Sequence, residues 1–318
     1  MMHLGIDTSC YTTSIAVMND QGQLIKDLRK VLRVKPGDRG LMQSEAVFQH
    51  VQNLPLLFIE LAQAFDMDQL QSVCVSTKPR PIEKSYMPVF TVCHGFGQMI
   101  AQIKKISFFM TSHQEGHLMA GIWSAEGPCS NEFIAVHLSG GTSEVLKVIK
   151  GQDHFSIEIL GATTDLHAGQ FVDRIGVSLG LPFPAGAHLE KLAHTYRGEI
   201  PYLTTGVKGT EFSFSGPETG ARKLLNQGFP PEAVARSVEH CIATTLEKVL
   251  RQVIQGTGLK EILMVGGVAA NAYLRQRLVS RLEHPAVGAQ LYFAPPRYAK
   301  DNAVGIACLG LKKYQNQR

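Results

Sequence analysis

Residues 3–17 decide the fold, and they read His-Leu-Gly-Ile-Asp-Thr-Ser-Cys-Tyr-Thr-Thr-Ser-Ile-Ala-Val. Two β-prone runs, residues 4–6 and 14–17, flank a turn made mostly of small and hydroxyl-bearing residues. The pattern returns later, where a strand-like run over residues 133–138 passes through a small-residue turn into a second run over residues 144–149. The sequence therefore predicts two β-hairpins at equivalent places in two halves of the chain.

Each predicted hairpin is followed by the remaining elements of an α/β unit. The first half continues with a strand near Leu24, a helix over residues 44–65, a buried strand over residues 73–76 and a helix ending near Lys105. Pro55 is expected to kink or split the first helix, whose apolar residues, including Val51, share one face. The second half continues with a third strand over residues 155–160, several helices and a late strand over residues 262–265. We expect a two-lobed α/β fold with an interlobe cleft.

Composition excludes several classes of protein. The chain has 318 residues, 44% hydrophobic and 18% charged, so it can bury a core and is not disordered. No apolar run reaches the ~18 residues of a membrane-spanning helix, and the first residues do not resemble a signal peptide. The six cysteines lie far apart without a C-x-x-C pair, which argues against zinc ribbons and disulfide frameworks. We expect a soluble, cytoplasmic protein with no membrane association.

The net charge of +4 allows an anionic partner without requiring one. Six basic residues follow the first hairpin and are candidates for contact with nucleic-acid phosphates, although such runs are more often a solvated surface. They are Lys26, Arg29, Lys30, Arg33, Lys35 and Arg39.

The two hairpin turns are candidates for binding a phosphate, because turns rich in Gly, Ser and Thr expose backbone N–H groups without side-chain bulk. Neither turn matches the P-loop or the dinucleotide-binding fingerprint. A single turn of this kind is more often only a hairpin. Two turns lie at matching places, and a Gly-Gly loop follows at residues 266–271. With these three features together, a nucleotide cleft and ordinary hairpins are about equally favoured.

Two histidines four residues apart, His113 and His117, occur in the sequence His-Gln-Glu-Gly-His. On a helix such residues are offset by about 40° and lie about 6 Å apart along the axis, so both imidazoles share a face. This spacing is usual for two metal ligands, although a bare pair is more often two ordinary histidines. Glu115 lies roughly 200° round the helix from His113, so it points away from such a metal. A zincin-type protease is therefore disfavoured.

Two aspartates are also candidate functional residues. Asp301 precedes an apolar run, where a helix N-cap is commoner than a metal ligand. If Asp301 met His113 and His117, two imidazoles and one carboxylate would suit Fe(II) or Zn(II). Asp173 lies in a predicted helix, where an ordinary surface carboxylate is the simpler interpretation.

Seven motifs together resemble those of the TsaD-like tRNA threonylcarbamoyltransferases, a family also catalogued as glycoproteases within the actin/sugar-kinase/heat-shock ATPase superfamily. Each motif alone is weak, whereas the ordered set is highly specific and extends over nearly the whole chain. The motifs are residues 5–10, 113–117, 139–142, 180–186, 212–216, 266–271 and 300–302.

The resemblance implies an actin-like fold with a first lobe over residues 1–118 and a second lobe over residues 119–318, the last helix packing back on the first lobe. It implies that His113, His117 and Asp301 hold one divalent ion, Fe(II) or Zn(II). It also implies a set of residues that contact an adenylate substrate or an ATP-like nucleotide. These are His137, Leu138, Ser139, Gly140, Gly141, Asp173, Gly186 and Asn271.

In this family the threonylcarbamoyl group of threonylcarbamoyl-AMP is transferred to N6 of an adenosine beside the tRNA anticodon, with release of AMP. The resemblance therefore implies a metal-dependent acyltransferase that acts on tRNA. It also implies two protein partners, a smaller paralogous subunit and an ATPase subunit.

The first lobe departs from the family pattern. Tyr11 and Thr12 stand where the family has Asp and Glu, and residues 77–81 replace a Gly-Pro-Gly loop. Leu166 and His167 replace an Asp and an Ala. These departures leave a second hypothesis open: a divergent paralogue that binds a nucleotide and either uses another acceptor or regulates its partners.

Overall fold

The computed structural model describes residues 1–9, 11–35 and 40–318, so Cys10 and Arg39 lie outside the described residues. The first half consists of β1 (Met2–Thr8), β2 (Thr12–Asn19), β3 (Leu24–Val31), α1 (Gln43–Ala64), β4 (Leu70–Lys78), α2 (Phe90–Lys104), β5 (Ser107–Ser112) and α3 (His113–Ala125). Its five strands form one sheet in the order β3-β2-β1-β4-β5.

The second half contains another five-stranded sheet and most of the helices. It consists of β6 (Glu132–Leu138), β7 (Ser143–Lys150), β8 (Phe155–Ala162), α4 (Ala168–Ser178), α5 (Gly186–His194), β9 (Gly206–Lys208), β10 (Glu211–Ser213), α6 (Ser215–Asn226), α7 (Pro231–Thr257), β11 (Glu261–Val265), α8 (Ala272–Leu282), β12 (Gln290–Phe293), α9 (Pro296–Ala299) and α10 (Val304–Asn316). The large sheet has the order β12-β11-β6-β7-β8.

The two large sheets share one topology. In each, the first three strands form an antiparallel meander, and the first strand pairs in parallel with the fourth, which pairs in parallel with the fifth. This repetition confirms the predicted two-lobed, duplicated α/β fold. We call the first sheet with α1 and α2 the first lobe, and the second sheet with α4 to α8 the second lobe.

Two features of the first lobe differ from the sequence prediction. β5 was not anticipated, although it completes the sheet by pairing in parallel with β4. α1 continues through Pro55 as one helix of 22 residues instead of splitting. Its buried face includes Leu54, Leu57 and Leu61, whereas Val51 is exposed. The spacing of apolar residues predicted Val51 on the buried face of α1, which is wrong. The prediction failed because apolar residues occur around much of this helix.

α3 and α10 lie between the two sheets, where they bury apolar residues against both β2 and β7. The predicted boundary between residues 118 and 119 falls inside α3, and this division of the chain stays a prediction. None of the helices in the described ranges is both long and apolar enough to cross a bilayer. The cysteines that the structure describes are free thiols: Cys74, Cys93, Cys129, Cys241 and Cys308.

The contact between α3 and α10 depends on glycines. A Cβ on Gly305 of α10 would lie 1.9 Å from the carbonyl oxygen of Gly116 in α3. A Cβ on Gly5 of β1 would lie 2.4 Å from the backbone nitrogen of Ala307 in α10. α10 is therefore held between β1 and α3 at backbone contact, a distance that no larger side chain permits.

We predict that Gly305→Ala lowers the free energy of unfolding by about 3 kcal/mol, because its Cβ would overlap a backbone carbonyl that cannot rotate away. Gly116→Ala is expected to cost less, because its nearest atom is the end of the flexible Ile306 side chain. Gly256→Ala is the matched control: it meets no atom within 4 Å and lies inside α7, so it should stabilise by about 0.5–1 kcal/mol. Urea denaturation measures all three, and equal effects at the three positions would contradict the packing argument.

Candidate metal centre and nucleotide cleft

The start of α3 is fixed by a capping box. The Ser112 hydroxyl accepts a hydrogen bond from the backbone N–H of Glu115, and the Glu115 carboxylate accepts one from the backbone N–H of Ser112 at 2.9 Å. This reciprocal pair satisfies two backbone donors at the helix end. The helix therefore begins at His113, and the Glu115 carboxylate is engaged in capping. Its position confirms the expectation that Glu115 does not face the histidine pair.

The structure brings His113, His117 and Asp301 together. Oδ1 of Asp301 lies 3.3 Å from Nε2 of His117 and 3.7 Å from Nε2 of His113. One ligand atom from each residue lies within 4.8 Å of the other two. Bonds of about 2.1 Å to one tetrahedral metal ion put donors about 3.4 Å apart, close to these separations. The N-cap of α10 is Ala303, so Asp301 does not cap this helix.

Asp7 orients the first of these histidines. Its Oδ1 lies 3.0 Å from Nδ1 of His113 and accepts a hydrogen bond from the Ser76 hydroxyl at 2.5 Å. Burial opposes the charged imidazole, but the Asp7 carboxylate prevails and raises the pKa of His113 to about 9, so without an ion Nε2 also carries a proton. A metal ion must displace that proton, and Asp7 then holds the neutral ring with Nδ1–H donated to it and the lone pair of Nε2 facing Asp301.

The two other ligands have the ionisation states that a metal requires. Burial, followed by the charge of His113, lowers the pKa of His117 and favours its neutral form. Burial alone would raise the pKa of the Asp301 carboxyl, but the two neighbouring imidazoles lower it below its usual value. Neutral imidazole and ionised carboxylate are the forms that bind a divalent ion.

Several buried polar atoms around this point have no hydrogen-bond partner among the described residues. They are Nδ1 of His117, both ring nitrogens of His137, Oδ2 of Asp7 and Oγ of Ser9, and Nε2 of His117 has only the Asp301 carboxylate, 3.3 Å away. Burying such groups unpaired costs roughly 1–3 kcal/mol each, so a protein retains them where something else binds. The residues present therefore fit a divalent ion with its remaining ligands, of the Fe(II) or Zn(II) type by their nitrogen and oxygen donors.

His137 joins the histidine pair to the predicted phosphate-binding turn. It lies near the end of β6, and its ring centroid is 4.8 Å from that of His117. The next residue, Leu138, has its side chain in the core, so only its backbone is available to a ligand. After it, a Cβ added to Gly140 or Gly141 meets no atom within 4 Å, so the turn faces open space.

The first turn of α4 lies directly against this hairpin turn. The backbone N–H of Gly169 donates to the Ser139 carbonyl at 3.2 Å, and a Cβ on Gly169 would lie 2.7 Å from the Gly140 nitrogen. Further along α4, the Asp173 carboxylate accepts a hydrogen bond from the Ala185 N–H at 2.7 Å, and burial raises its pKa. This bond fixes the start of α5 at Gly186.

The amide of Asn271 is engaged within the protein. Its Oδ1 caps α8 by accepting from the backbone N–H of Leu274 at 2.9 Å, and its Nδ2 donates to Oε1 of Glu239 at 2.6 Å. Arg236 donates to the other Glu239 oxygen at 2.7 Å. One amide hydrogen of Asn271 is thus left for a ligand. The sequence analysis missed Glu239, because the periodicity of α7 indicated only core packing.

Two contacts across the lobes involve residues at which the sequence departs from the family. Tyr11, at the start of the first hairpin's second strand, packs edge-on against Phe183 of the second lobe, with ring centroids 5.7 Å apart. Arg80, in the loop after β4, forms an ion pair of 2.6 Å with Glu144 of β7. Neither pair could be predicted from a sequence pattern, because each joins residues more than sixty positions apart.

The Glu239 carboxyl should make stability depend on pH. Burial raises its pKa to about 7 from 4.5, so between these values the folded state binds the proton that the unfolded state releases. Its contribution to the free energy of unfolding therefore falls as pH rises from 4.5 to 7, by about 3 kcal/mol at most.

Because Gln at this position has no charge to bury, we predict that Glu239→Gln gains stability relative to the unmodified protein between pH 5 and pH 8. Urea denaturation of both proteins at the two pH values measures this difference. Since the histidines titrate equally in both, an unchanged difference between them would contradict the raised pKa.

Comparison with known proteins identifies the family to which this chain belongs. A sequence model described as TsaD, tRNA N6-adenosine threonylcarbamoyltransferase, matches residues 30–308. A protein of that name from Thermus thermophilus is 29% identical over 318 residues, covering 99% of this chain and 94% of the relative. One from Archaeoglobus fulgidus is 28% identical over 320 residues, covering 99% and 92%.

Solved structures show the same fold at low identity. Component A of (R)-2-hydroxyglutaryl-CoA dehydratase from Acidaminococcus fermentans has a TM-score of 0.58 at 15% identity, covering 99% of both chains. A ROK family glucokinase from Streptomyces griseus has a TM-score of 0.53 at 11% identity, covering 98% of this chain and 99% of that one. These likenesses establish the actin-like fold alone. The match to the sequence model over most of the chain establishes that this protein belongs to the TsaD family of tRNA N6-adenosine threonylcarbamoyltransferases.

Proposed function

We propose that this protein transfers the threonylcarbamoyl group of threonylcarbamoyl-AMP to N6 of an adenosine in tRNA and releases AMP, as a metal-dependent acyltransferase. The observation that carries the proposal is the convergence of His113, His117 and Asp301, beside a glycine turn open to a ligand, in a chain of this family. Neither feature alone selects this reaction. A set of metal ligands beside a turn that can bind a phosphate suits an acyl adenylate, because such a substrate carries both a carbonyl group and a phosphate.

A bound Fe(II) or Zn(II) ion would supply Lewis-acid polarisation of the carbamoyl carbonyl. In the proposed reaction the chain's own residues bind and orient. Asp7 holds His113 in the tautomer that presents Nε2, and His137 lies between the ligand set and the turn. The turn at residues 139–141 offers backbone donors to the phosphate, and Asp173 fixes the start of α5, where Gly186 lines the adenylate. Asn271 contributes its remaining amide hydrogen.

The tRNA acceptor is an anion, and we propose that basic residues beyond β2 approach it in the cytoplasm. Arg33 and Lys35 are exposed. Arg29 is less available, because its guanidinium pairs with Asp27 at 2.7 Å and donates to the carbonyl oxygen of Arg297 at 2.5 Å. A tRNA contact therefore depends more on the exposed part of this run than on Arg29.

The metal-dependent function is tested with tRNA, threonylcarbamoyl-AMP, saturating Fe(II) or Zn(II), and the partner subunits of a related system. We expect N6-threonylcarbamoyladenosine in the tRNA, detected by mass spectrometry after nuclease digestion. His117→Ala should lose bound metal and at least ~100-fold of the activity, since loss of metal ligation is rarely compensated. His284→Ala, which removes an exposed imidazole, is the control and should match the unmodified protein. Absence of modified adenosine in the unmodified protein under these conditions would end the proposal.

The contact between Tyr11 and Phe183 favours a second candidate, a divergent paralogue that binds the nucleotide but uses another acceptor or regulates partners. Tyr11 stands at the position where the family has Asp. Its ring packs against the second lobe, whereas the family's carboxylate would carry a negative charge there. Adenylate binding without transfer to tRNA is the result expected of this candidate. Gain of transfer in Tyr11→Asp would identify the substituted residue as the cause.

We also propose the family's protein partners, a smaller paralogous subunit and an ATPase subunit. An exposed apolar surface on α1, made of Phe48, Val51, Leu56 and Ile59, supports the first of these. On a helix these positions lie within about 140° of one another, and such a contiguous apolar surface is typical of a protein interface. Met99 and Ile103 of α2, a helix that contacts α1, are also exposed and apolar.

We predict that the double substitution Phe48→Asp and Ile59→Asp abolishes co-elution with the paralogous subunit in gel filtration, because two charges would be buried at the interface. The fold should be unaffected, since both side chains are 58% exposed. Gln227→Asp and Gln252→Asp, exposed positions of the second lobe, serve as the control with an equal change of net charge. Retained co-elution of the Phe48/Ile59 variant would exclude this surface.

A further inference from the structure

The loop after β4 carries an arginine that reaches from the first lobe to the second. Nη2 of Arg80 lies 2.6 Å from Oε1 of Glu144, which belongs to β7. The loop is held against α3, because the carbonyl oxygen of Pro79 accepts a hydrogen bond from the backbone N–H of Gln114 at 3.0 Å. The Gln114 side chain donates to Oε2 of Glu144 at 3.1 Å. Arg80 is therefore positioned beside the first turn of the helix that carries His113.

The same guanidinium lies beside the open glycine turn. Glu144 is the register partner of His137 in the β6–β7 hairpin, so its carboxylate adjoins the strand end from which the turn begins. Burial lowers the pKa of His167, and the Arg80 charge lowers it further. His167 lies at the start of α4, against the turn, so the positive charge of Arg80 reaches this side of the turn.

Arg80 retains hydrogen-bonding capacity that Glu144 does not use. A guanidinium has five N–H donors in a planar fork, and the ion pair engages part of that fork. The Arg80 side chain is 32% exposed, whereas that of Glu144 is 5% exposed. The buried carboxylate thus anchors one edge of the arginine and leaves the other edge accessible. Two parallel N–H donors of this kind match two oxygens of a phosphate.

We propose that Arg80 binds the phosphate of the nucleotide seated on the turn at residues 139–141, with Glu144 holding the guanidinium in position. This rests on the proposed function only in taking an adenylate as the ligand of the turn. The shared chemistry, a phosphate against an arginine fork, has a second possible source in the tRNA backbone. Comparison of AMP, adenosine and tRNA as ligands separates the two sources.

The test is isothermal titration calorimetry of AMP, of adenosine and of tRNA with the unmodified full chain and with Arg80→Gln, all in Zn(II). We expect Arg80→Gln to weaken AMP binding by at least ~10-fold, the usual size of a lost charge-assisted hydrogen bond, and to leave adenosine binding unchanged. Arg80→Lys, which keeps the charge without the fork, should lose less. Arg281→Gln is the matched control, because it removes a guanidinium paired with a buried carboxylate, Glu247, outside the cleft.

Four outcomes would overturn the assignment. Equal weakening of AMP and adenosine would mean that Arg80 only joins the lobes. Unchanged AMP binding with weaker tRNA binding would assign Arg80 to the RNA backbone. If the unmodified protein binds AMP and Arg80→Gln binds AMP and tRNA equally well, Arg80 has no role in phosphate binding, and the proposed function still stands. Failure of the unmodified protein to bind AMP would reject both.

Discussion

The backbone contact between α3 and α10 is the constraint on which the site depends. The two histidines belong to α3, and Asp301 lies just before α10, almost two hundred residues later. Gly5, Gly116 and Gly305 allow these helices and β1 to approach until their backbones touch. With any larger residue at Gly305, the helices would separate and the third ligand would move away from the pair. The geometry of the candidate metal centre is therefore a consequence of packing between the lobes.

The polar interior around this contact is costly to maintain. Two imidazoles, Asp7 and Ser9 carry buried atoms without hydrogen-bond partners among the described residues, and core residues of similar volume would be less expensive to bury. Asp7 shows the structural role of these buried polar groups. Its carboxylate fixes the tautomer of His113 while it is itself held by Ser76. The arrangement is that of a binding site whose ligand-facing atoms are positioned in advance by hydrogen bonds behind them.

Much of this could be predicted from the sequence because the signals were local. The two hairpins follow from β-prone runs around small-residue turns, and the facing imidazoles follow from the period of a helix. The meeting of Asp301 with the histidines came from resemblance to a family, because spacing alone indicated a helix cap. Arg80, Glu144 and Glu239 were not found, since each acts through a partner distant in sequence. β5 was missed because a short apolar run directly before a helix has no distinguishing period.

The central claim is that three side chains, two from α3 and one from the segment before α10, converge on one cation at the junction of the lobes. Anomalous diffraction from crystals grown with saturating Zn(II) tests it most directly. We predict one strong peak, about 2.0–2.2 Å from Nε2 of His113, Nε2 of His117 and a carboxylate oxygen of Asp301. A peak bound to other residues, or an ordered site in which Asp301 turns away from both imidazoles, would contradict the claim.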